Sequence, residues 1–128
     1  MNRKERRRQK KSISQNQVNS SLLDAIQLHI KKDFEKAENL YLKVIKNDQA
    51  NYQALRHLGI LYNDTKKYDK AIQYLTDAIE IAPSIPDAHN NLGLVYFVSD
   101  NLASAKKSFE KSFLLNNNYL PALTNLTR

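Results

Sequence analysis

The sequence predicts an all-α fold, an α-solenoid of three helix–turn–helix pairs followed by a C-terminal helix. Three observations carry this expectation. A 34-residue spacing relates Leu58, Gly59, Tyr62, Ala71 and Leu75 to Leu92, Gly93, Tyr96, Ala105 and Phe109, and the backward shift reaches Ala25, Phe34, Ala37, Tyr41 and Val44. Apolar residues inside each repeat recur at three- and four-residue steps, the period of a helix face. Two glycines and three prolines in 128 residues leave little of the punctuation that an all-β chain needs.

Residues 1–17, MNRKERRRQKKSISQNQ, come first and differ from everything after them. They hold seven basic side chains, Arg3, Lys4, Arg6, Arg7, Arg8, Lys10 and Lys11, against the single acid Glu5, so +6 of the total +7 lies here and the remainder is nearly neutral. With Met1 and Ile13 as the only large apolar members, the stretch buries too little surface to offset its ordering entropy. It is expected to be a disordered basic arm or a frayed helix. It lacks the apolar core of a secretory signal, and no run in the chain approaches the roughly 20 apolar residues of a bilayer span. The default location is cytoplasmic.

The repeat region spans 18–128, with repeats at about 18–51, 52–85 and 86–119 and the terminal helix at 120–128. Leu22, Leu23, Ile26 and Ile30 recur at three- and four-residue steps, which places them on one face of a first helix ending near Lys31. Asp33 stands as N-cap of a second, from Phe34 to Lys46, its carboxylate placed to accept a free backbone N–H. Helices at about 51–64 and 68–81 form the most regular pair. Pro83 and Pro86 bracket its exit, and Pro86 suits the first turn of a helix to Val98 because proline lacks only an N–H that is unpaired there anyway. A helix from Leu102 to Leu115 completes the third pair, with Ser112 in the place of Ala78. Leu120, Leu123 and Leu126 then give the terminal helix an apolar edge through which copies of the chain can self-associate.

A helix pair of this length cannot cover its own apolar face, so neighbouring pairs must stack. Leu58-Gly59-x-x-Tyr62, Ala71, Ala78 and Pro83 resemble a tetratricopeptide repeat, and the resemblance covers nearly all of 18–128. Gly59 and Gly93 are read as points of close helix approach, answered by Ala71 and Ala105. The chain departs from the family at the turn inside each pair, where a usual glycine is replaced by Lys32, Lys66 and Asp100.

The resemblance implies a function in protein–protein interaction, as a scaffold whose first helices line a concave groove for a peptide segment. Carried over position by position, that groove consists of Leu22, Ile26, Gln53, Arg56, His57, Ile60, Asn63, Asp87, Asn90, Asn91, Leu94 and Asn125, with Leu23 and His29 beside them. Asn91 and Asn125 share one register with His57, and Asn90-Asn91-Leu92-Gly93 resembles the repeats of O-GlcNAc-transferase-like proteins, whose asparagine ladder holds a peptide backbone. A carboxamide offers one acceptor and two donors for that purpose. In this reading Ile26, Ile60 and Leu94 add apolar contact and Arg56 a charge preference. The carboxylate clamp of chaperone-binding repeats is matched only at Arg56 and Asn91, and is set aside.

No active site is recognised. Cysteine is absent, which excludes thiol nucleophiles and thiolate zinc, and His29, His57 and His89 lack the i, i+4 spacing of a helical metal site. No cofactor is implied. Two other functions stay open. One is the substrate-docking amino-terminal region of a larger bacterial glycosyltransferase or sulfotransferase, with the catalytic domain beyond Arg128. The other is association with RNA, ribosomes or an anionic surface through residues 3–11, whose cations release phosphate counterions.

Overall fold

A computed structural model describes residues 2–116 and Asn125; over 4–14 it describes the backbone. Six α-helices make up the described chain: α1 Arg3–Ile30, α2 Phe34–Asn47, α3 Tyr52–Asp64, α4 Tyr68–Ile81, α5 Pro86–Val98 and α6 Leu102–Leu115. No strand occurs among the described residues. The expected boundaries of α2 to α6 agree with these to within a residue. Asn125 is helical, and the rest of the expected terminal helix, with Leu120, Leu123 and Leu126, lies outside the described residues. The chain forms two compact units, Met1–Gln49 and Ala50–Arg128.

In the first unit α1 packs against α2. Its helical backbone begins at Arg3, well ahead of Val18, so the basic stretch expected as a disordered arm or frayed helix continues straight into α1. Lys, Arg, Gln and Glu are good helix formers, and no glycine or proline interrupts the run. The buried face of α1 is not the one that carries its large apolar residues. Val18 and Ala25 are buried, whereas Leu23 is 62% and Ile30 75% exposed. At about 100° per residue, Leu23 and Ile30 lie roughly 120–140° around the helix from the Val18–Ala25 line. The small residue at the register of Gly59 therefore marks the contact, and the larger apolar side chains are left to one side. On α2 the buried stripe is Ala37, Tyr41 and Val44.

The second unit repeats the arrangement twice. Helix α3 packs on α4, α5 on α6, and the two pairs join through α4 against α5 and α3 against α5. Because α3 touches both α4 and α5, it buries six residues, Ala54, Leu55, Leu58, Gly59, Leu61 and Tyr62. Helix α4 contributes the stripe Ala71, Leu75 and Ala78, and α6 contributes Ala105, Ser108, Phe109 and Ser112. Burying each Leu or Phe side chain contributes about 1.5–3 kcal/mol. The glycines do mark close approaches, but the partner atoms differ from the expected ones. A Cβ on Gly59 would lie 2.6 Å from Cγ of Leu75, with the backbone oxygen of Ala71 at 3.3 Å; on Gly93 it would run into the Phe109 ring. Leu75 and Phe109 stand at the same repeat position, and Ala71 meets Gly59 with its carbonyl oxygen.

Ser112 repays its place in the core. Fully buried, it donates from Oγ to the carbonyl of Pro86 at 2.8 Å, tying α6 to the first turn of α5. His89, also buried, donates from Nε2 to the carbonyl of Pro83 at 2.9 Å and so holds the entry into α5. Both buried polar side chains thus find a backbone acceptor.

The turns inside the three pairs share one design. Lys32, Lys66 and Asp100 have φ of 64°, 63° and 67°, the left-handed conformation that usually selects glycine. Each lies just past a helix end whose carbonyls are closed by two returning N–H groups. Lys66 N–H reaches Asn63 O at 3.1 Å and Lys67 N–H reaches Tyr62 O at 2.7 Å; Asp100 to Phe97 and Asn101 to Tyr96 repeat the pattern, as do Lys32 to His29 and Asp33 to Leu28. This is the Schellman arrangement. At the next helix start, Asn51 and Asn101 cap with their side-chain oxygens, at 3.1 Å to Ala54 N–H and 3.3 Å to Ser104 N–H. Asp33 occupies the N-cap position of α2 without a side-chain cap bond; its carboxylate lies 3.7 Å from Lys36 instead.

Candidate functional site

Residues not used in stacking gather on one face of the second unit, where α3 and α5 run side by side. Arg56 is the centre. It is half-buried on α3 and donates from Nη1 to Oδ1 of Asn91 on α5 at 3.0 Å, and from Nη2 to Oε1 of Gln53 at 3.1 Å. A longer contact of 3.5 Å joins Nη2 to Nε2 of His57. Arginine has donors only, so this contact requires a bare Nε2 on the imidazole. The Nε of Arg56 is buried with no hydrogen-bond partner, as is Oδ1 of Asn63.

The helical register explains the Gln53 contact, since Gln53 and Arg56 are three residues apart on one face. Asn91 joins them across the helices because it lies one repeat and one residue beyond Arg56. The same offset recurs: Asn125 donates from Nδ2 to Oδ1 of Asn90 at 2.9 Å. Position by position, Asn90 corresponds to Arg56, and Asn125 to Asn91. Two rungs therefore link first helices of successive pairs through identical registers, one charged and one neutral.

These rungs redistribute the residues expected in the groove. Gln53, Arg56, His57 and Asn91 meet through the contacts of Arg56, Asn125 reaches Asn90 instead, and Ile60, Asn63, Asp87 and Leu94 are half-buried on α3 and α5. Asn90 is only 4% exposed and serves Asn125 rather than facing outward. Asn91 turns its oxygen to Arg56, which leaves its two N–H donors on the opposite edge. Leu22 and Ile26 belong to the first unit, where they are half-buried. His29 is taken up within that unit: Nδ1 is 3.1 Å from the Tyr41 hydroxyl, and its ring meets Phe34 and Tyr41 edge-on. The pairing of Arg56 with Asn91 escaped sequence reasoning, although the 35-residue offset of complementary polar residues was its signal.

Among the described residues there is no group of three or more His, Asp or Glu side chains able to hold a metal ion, and no helix is long and apolar enough to cross a membrane. The basic stretch belongs to the first unit and this face to the second.

Comparison with known proteins identifies the family of the repeats. Family models described as TPR repeat or tetratricopeptide repeat match residues 40–73, 61–98 and 86–119, which together run without a gap from 40 to 119. The type IV pilus assembly protein PilF of Pseudomonas aeruginosa is 34% identical over 84 residues, covering 64% of this chain and 33% of PilF. Tetratricopeptide repeat protein 5 of Bos taurus is 31% identical over 84 residues, covering 65% of this chain and 19% of that protein. The chain thus spans a third or less of these curated relatives. Among solved structures, the second TPR domain of human RPAP3, in complex with the HSP70 peptide SGPTIEEVD, superposes with a TM-score of 0.82 at 25% identity, over 89% of this chain and 95% of that one. A Thermobaculum terrenum O-GlcNAc transferase mutant superposes with a TM-score of 0.83 at 24% identity, over 88% of this chain and 22% of that one, which speaks for the fold alone. With its all-α helical repeats, its recurrent close contacts at Gly59 and Gly93 and its contiguous family matches, the chain belongs to the tetratricopeptide repeat proteins.

Proposed function

We propose that the chain is a protein–protein interaction module that holds a peptide segment of its partner on the face shared by α3 and α5. The observation that carries this reading is the set Arg56, His57, Ile60, Asn91 and Leu94, half-buried on adjacent helices and left out of the stacking core. Arg56 and Asn91 supply donors, and Ile60 and Leu94 supply apolar contact beside them. The RPAP3 domain solved with a peptide supports the reading by its matching fold over nearly its whole length. Leu22 and Ile26 occupy the corresponding registers of the first pair, and Asn125 extends the row beyond Asn91. The function is binding, without catalysis, and the setting is cytoplasmic.

The test is quantitative recovery of partner on immobilised chain, comparing the wild type with Ile60→Asp and with Leu94→Asp at equal helical content by circular dichroism. Both substitutions place a charge between the two helices and are expected to abolish recovery. Recovery equal to wild type in both variants would overturn the assignment of this face.

A second reading is favoured by coverage. The matched region makes up 22% of the O-GlcNAc transferase and 10% of the mouse protein O-mannosyl-transferase TMTC3, so the chain also suits the docking portion of a larger transferase. The transcript beyond the codon for Arg128 decides it: an open frame encoding a transferase domain is expected, and a stop codon there removes the reading. Contact of the basic arm with RNA or another anionic surface, and self-association through Leu123 and Leu126, are subordinate proposals, tested by salt-dependent RNA binding after deletion of 1–17 and by sedimentation of Leu126→Lys.

A further inference from the structure

We propose that the outer faces of α4 and α6 form a docking surface for a second copy of this chain, with α4 of each copy laid against α6 of the other. This surface shares no residue with the α3–α5 face and does not depend on it.

Each helix buries one stripe against the rest of the unit, centred on Leu75 in α4 and on Phe109 in α6. Opposite those stripes, about 180° round the helix, stand the exposed rows Asp69, Gln73, Thr76, Glu80 and Ala103, Lys107, Glu110, Leu114, with Asp77 and Lys111 on their flanks. One repeat relates the two rows residue for residue, so they point nearly the same way on neighbouring pairs. Their charges are opposite. Helix α4 carries Asp69, Asp77 and Glu80 against Lys70, a sum of −2, and α6 carries Lys106, Lys107 and Lys111 against Glu110, a sum of +2. The minority charge is engaged within the protein on both helices. The Lys70 ammonium lies over the Tyr62 ring, 5.4 Å from its centroid, and Glu110 is 3.9 Å from Lys106. Asp69, Asp77, Glu80, Lys107 and Lys111 make no ion pair among the described residues.

That pattern selects one arrangement. Two copies meeting face to face here are related by a two-fold axis in the contact plane, running either across the helices or along them. An axis across the helices lays α4 on α4 and α6 on α6, acid on acid and lysine on lysine. An axis along the helices lays α4 parallel to the partner's α6. The repeat register then sets Asp77 against the partner's Lys111 and Gln73 against the partner's Lys107, with Asp69 and Glu80 one turn from a lysine. No register of that arrangement opposes two like charges. It also brings together, at the ends of the two helices, side chains that are apolar and open to solvent: Ile81 is 43% and Leu114 73% exposed. Covering these two contributes affinity, while the charge pairs set orientation and partner choice. Two helices of 14 residues, each about 21 Å long, make a patch at the small end of specific interfaces, so the dimer is weak.

Sedimentation velocity on the full chain, from about 10 µM to about 1 mM, tests this, with the helical content of every variant checked by circular dichroism. The wild type is expected to pass from monomer to dimer across that range. One double variant, Lys107→Glu with Lys111→Glu, makes α6 acidic; another, Asp77→Lys with Glu80→Lys, makes α4 basic. Each turns both contacts of the dimer into like-charge ones and is expected to raise the dissociation constant about tenfold or more. Mixed in equal amounts, the two variants are expected to regain a dimer holding one chain of each, because acid again faces lysine at both contacts. Leu114→Ala is expected to weaken the wild-type and the mixed dimer alike. A wild type that stays monomeric throughout overturns the surface, as does a dimer that neither double variant weakens. Failure of the folded variants to associate when mixed overturns the pairing of α4 with α6.

Discussion

The Arg56–Asn91 and Asn90–Asn125 rungs occupy the same two registers one repeat apart, yet they do opposite things with their polar groups. In the first, a charged donor on α3 takes the oxygen of Asn91 and leaves an amide edge turned outward. In the second, a buried carboxamide accepts from Asn125, and Asn90 is closed off from solvent. The difference shows that repeat position settles which residues neighbour one another, while burial and charge settle whether that neighbourhood is available to a partner. The buried Asn90 carboxamide gives its hydrogen bond to the fold; the half-buried Arg56–Asn91 bond leaves the Asn91 NH₂ unused within the protein.

The comparison depends on a core that holds α3 and α5 at a fixed distance, and its largest challenge is to remove that core. Leu75→Ala empties the fully buried position beneath Gly59 and is expected to destabilise the second unit by about 2–5 kcal/mol, read from denaturant unfolding. A loss near zero would mean that neither rung depends on the α3–α4 contact. The direct contrast is smaller. Asn90→Ala strips Asn125 of its acceptor in a buried setting and is expected to cost about 1–2 kcal/mol, whereas Asn91→Ala, on the accessible rung, is expected to cost no more than about 0.5 kcal/mol. Equal costs in the same unfolding assay would erase the distinction between the two rungs. The smallest effect runs the other way. Lys66→Gly relieves a left-handed side chain between α3 and α4, and an increase in stability of about 1 kcal/mol is expected without change at either rung. A decrease would mean that the Lys66 side chain contributes more than its backbone conformation costs.

Much of the fold was legible because stacking leaves a repeated steric record. Gly59 and Gly93 announced close approaches, Pro86 announced a helix start, and the 34-residue period placed α2 to α6 within a residue. Helix α1 was less legible. Its large residues Leu23 and Ile30 dominate any reading of apolar period, but the contact with α2 centres on Ala25, a residue whose small size is the signal. The candidate site was legible as a set of positions and not as a set of bonds. That Asn90 is buried and Asn91 is accessible depends on the packing of α5 between α3, α4 and α6, which adjacent asparagines cannot reveal from sequence. Gly59 was expected to meet the side chain of Ala71, and it meets Leu75, because a side chain four residues on leans back over the preceding turn.

The left-handed turns at Lys32, Lys66 and Asp100 carry one more consequence. Glycine at such a corner relaxes the backbone but leaves the corner bare. Here each corner bears an exposed ionisable side chain that takes no part in the hydrogen bonds closing the turn, which come from backbone N–H groups and, at two corners, the hydroxyls of Thr65 and Ser99, so the identity of that side chain can change without disturbing them. A small conformational penalty at each corner gives the protein three sites where surface charge is set independently of both the core and the binding face: positive at two and negative at the third.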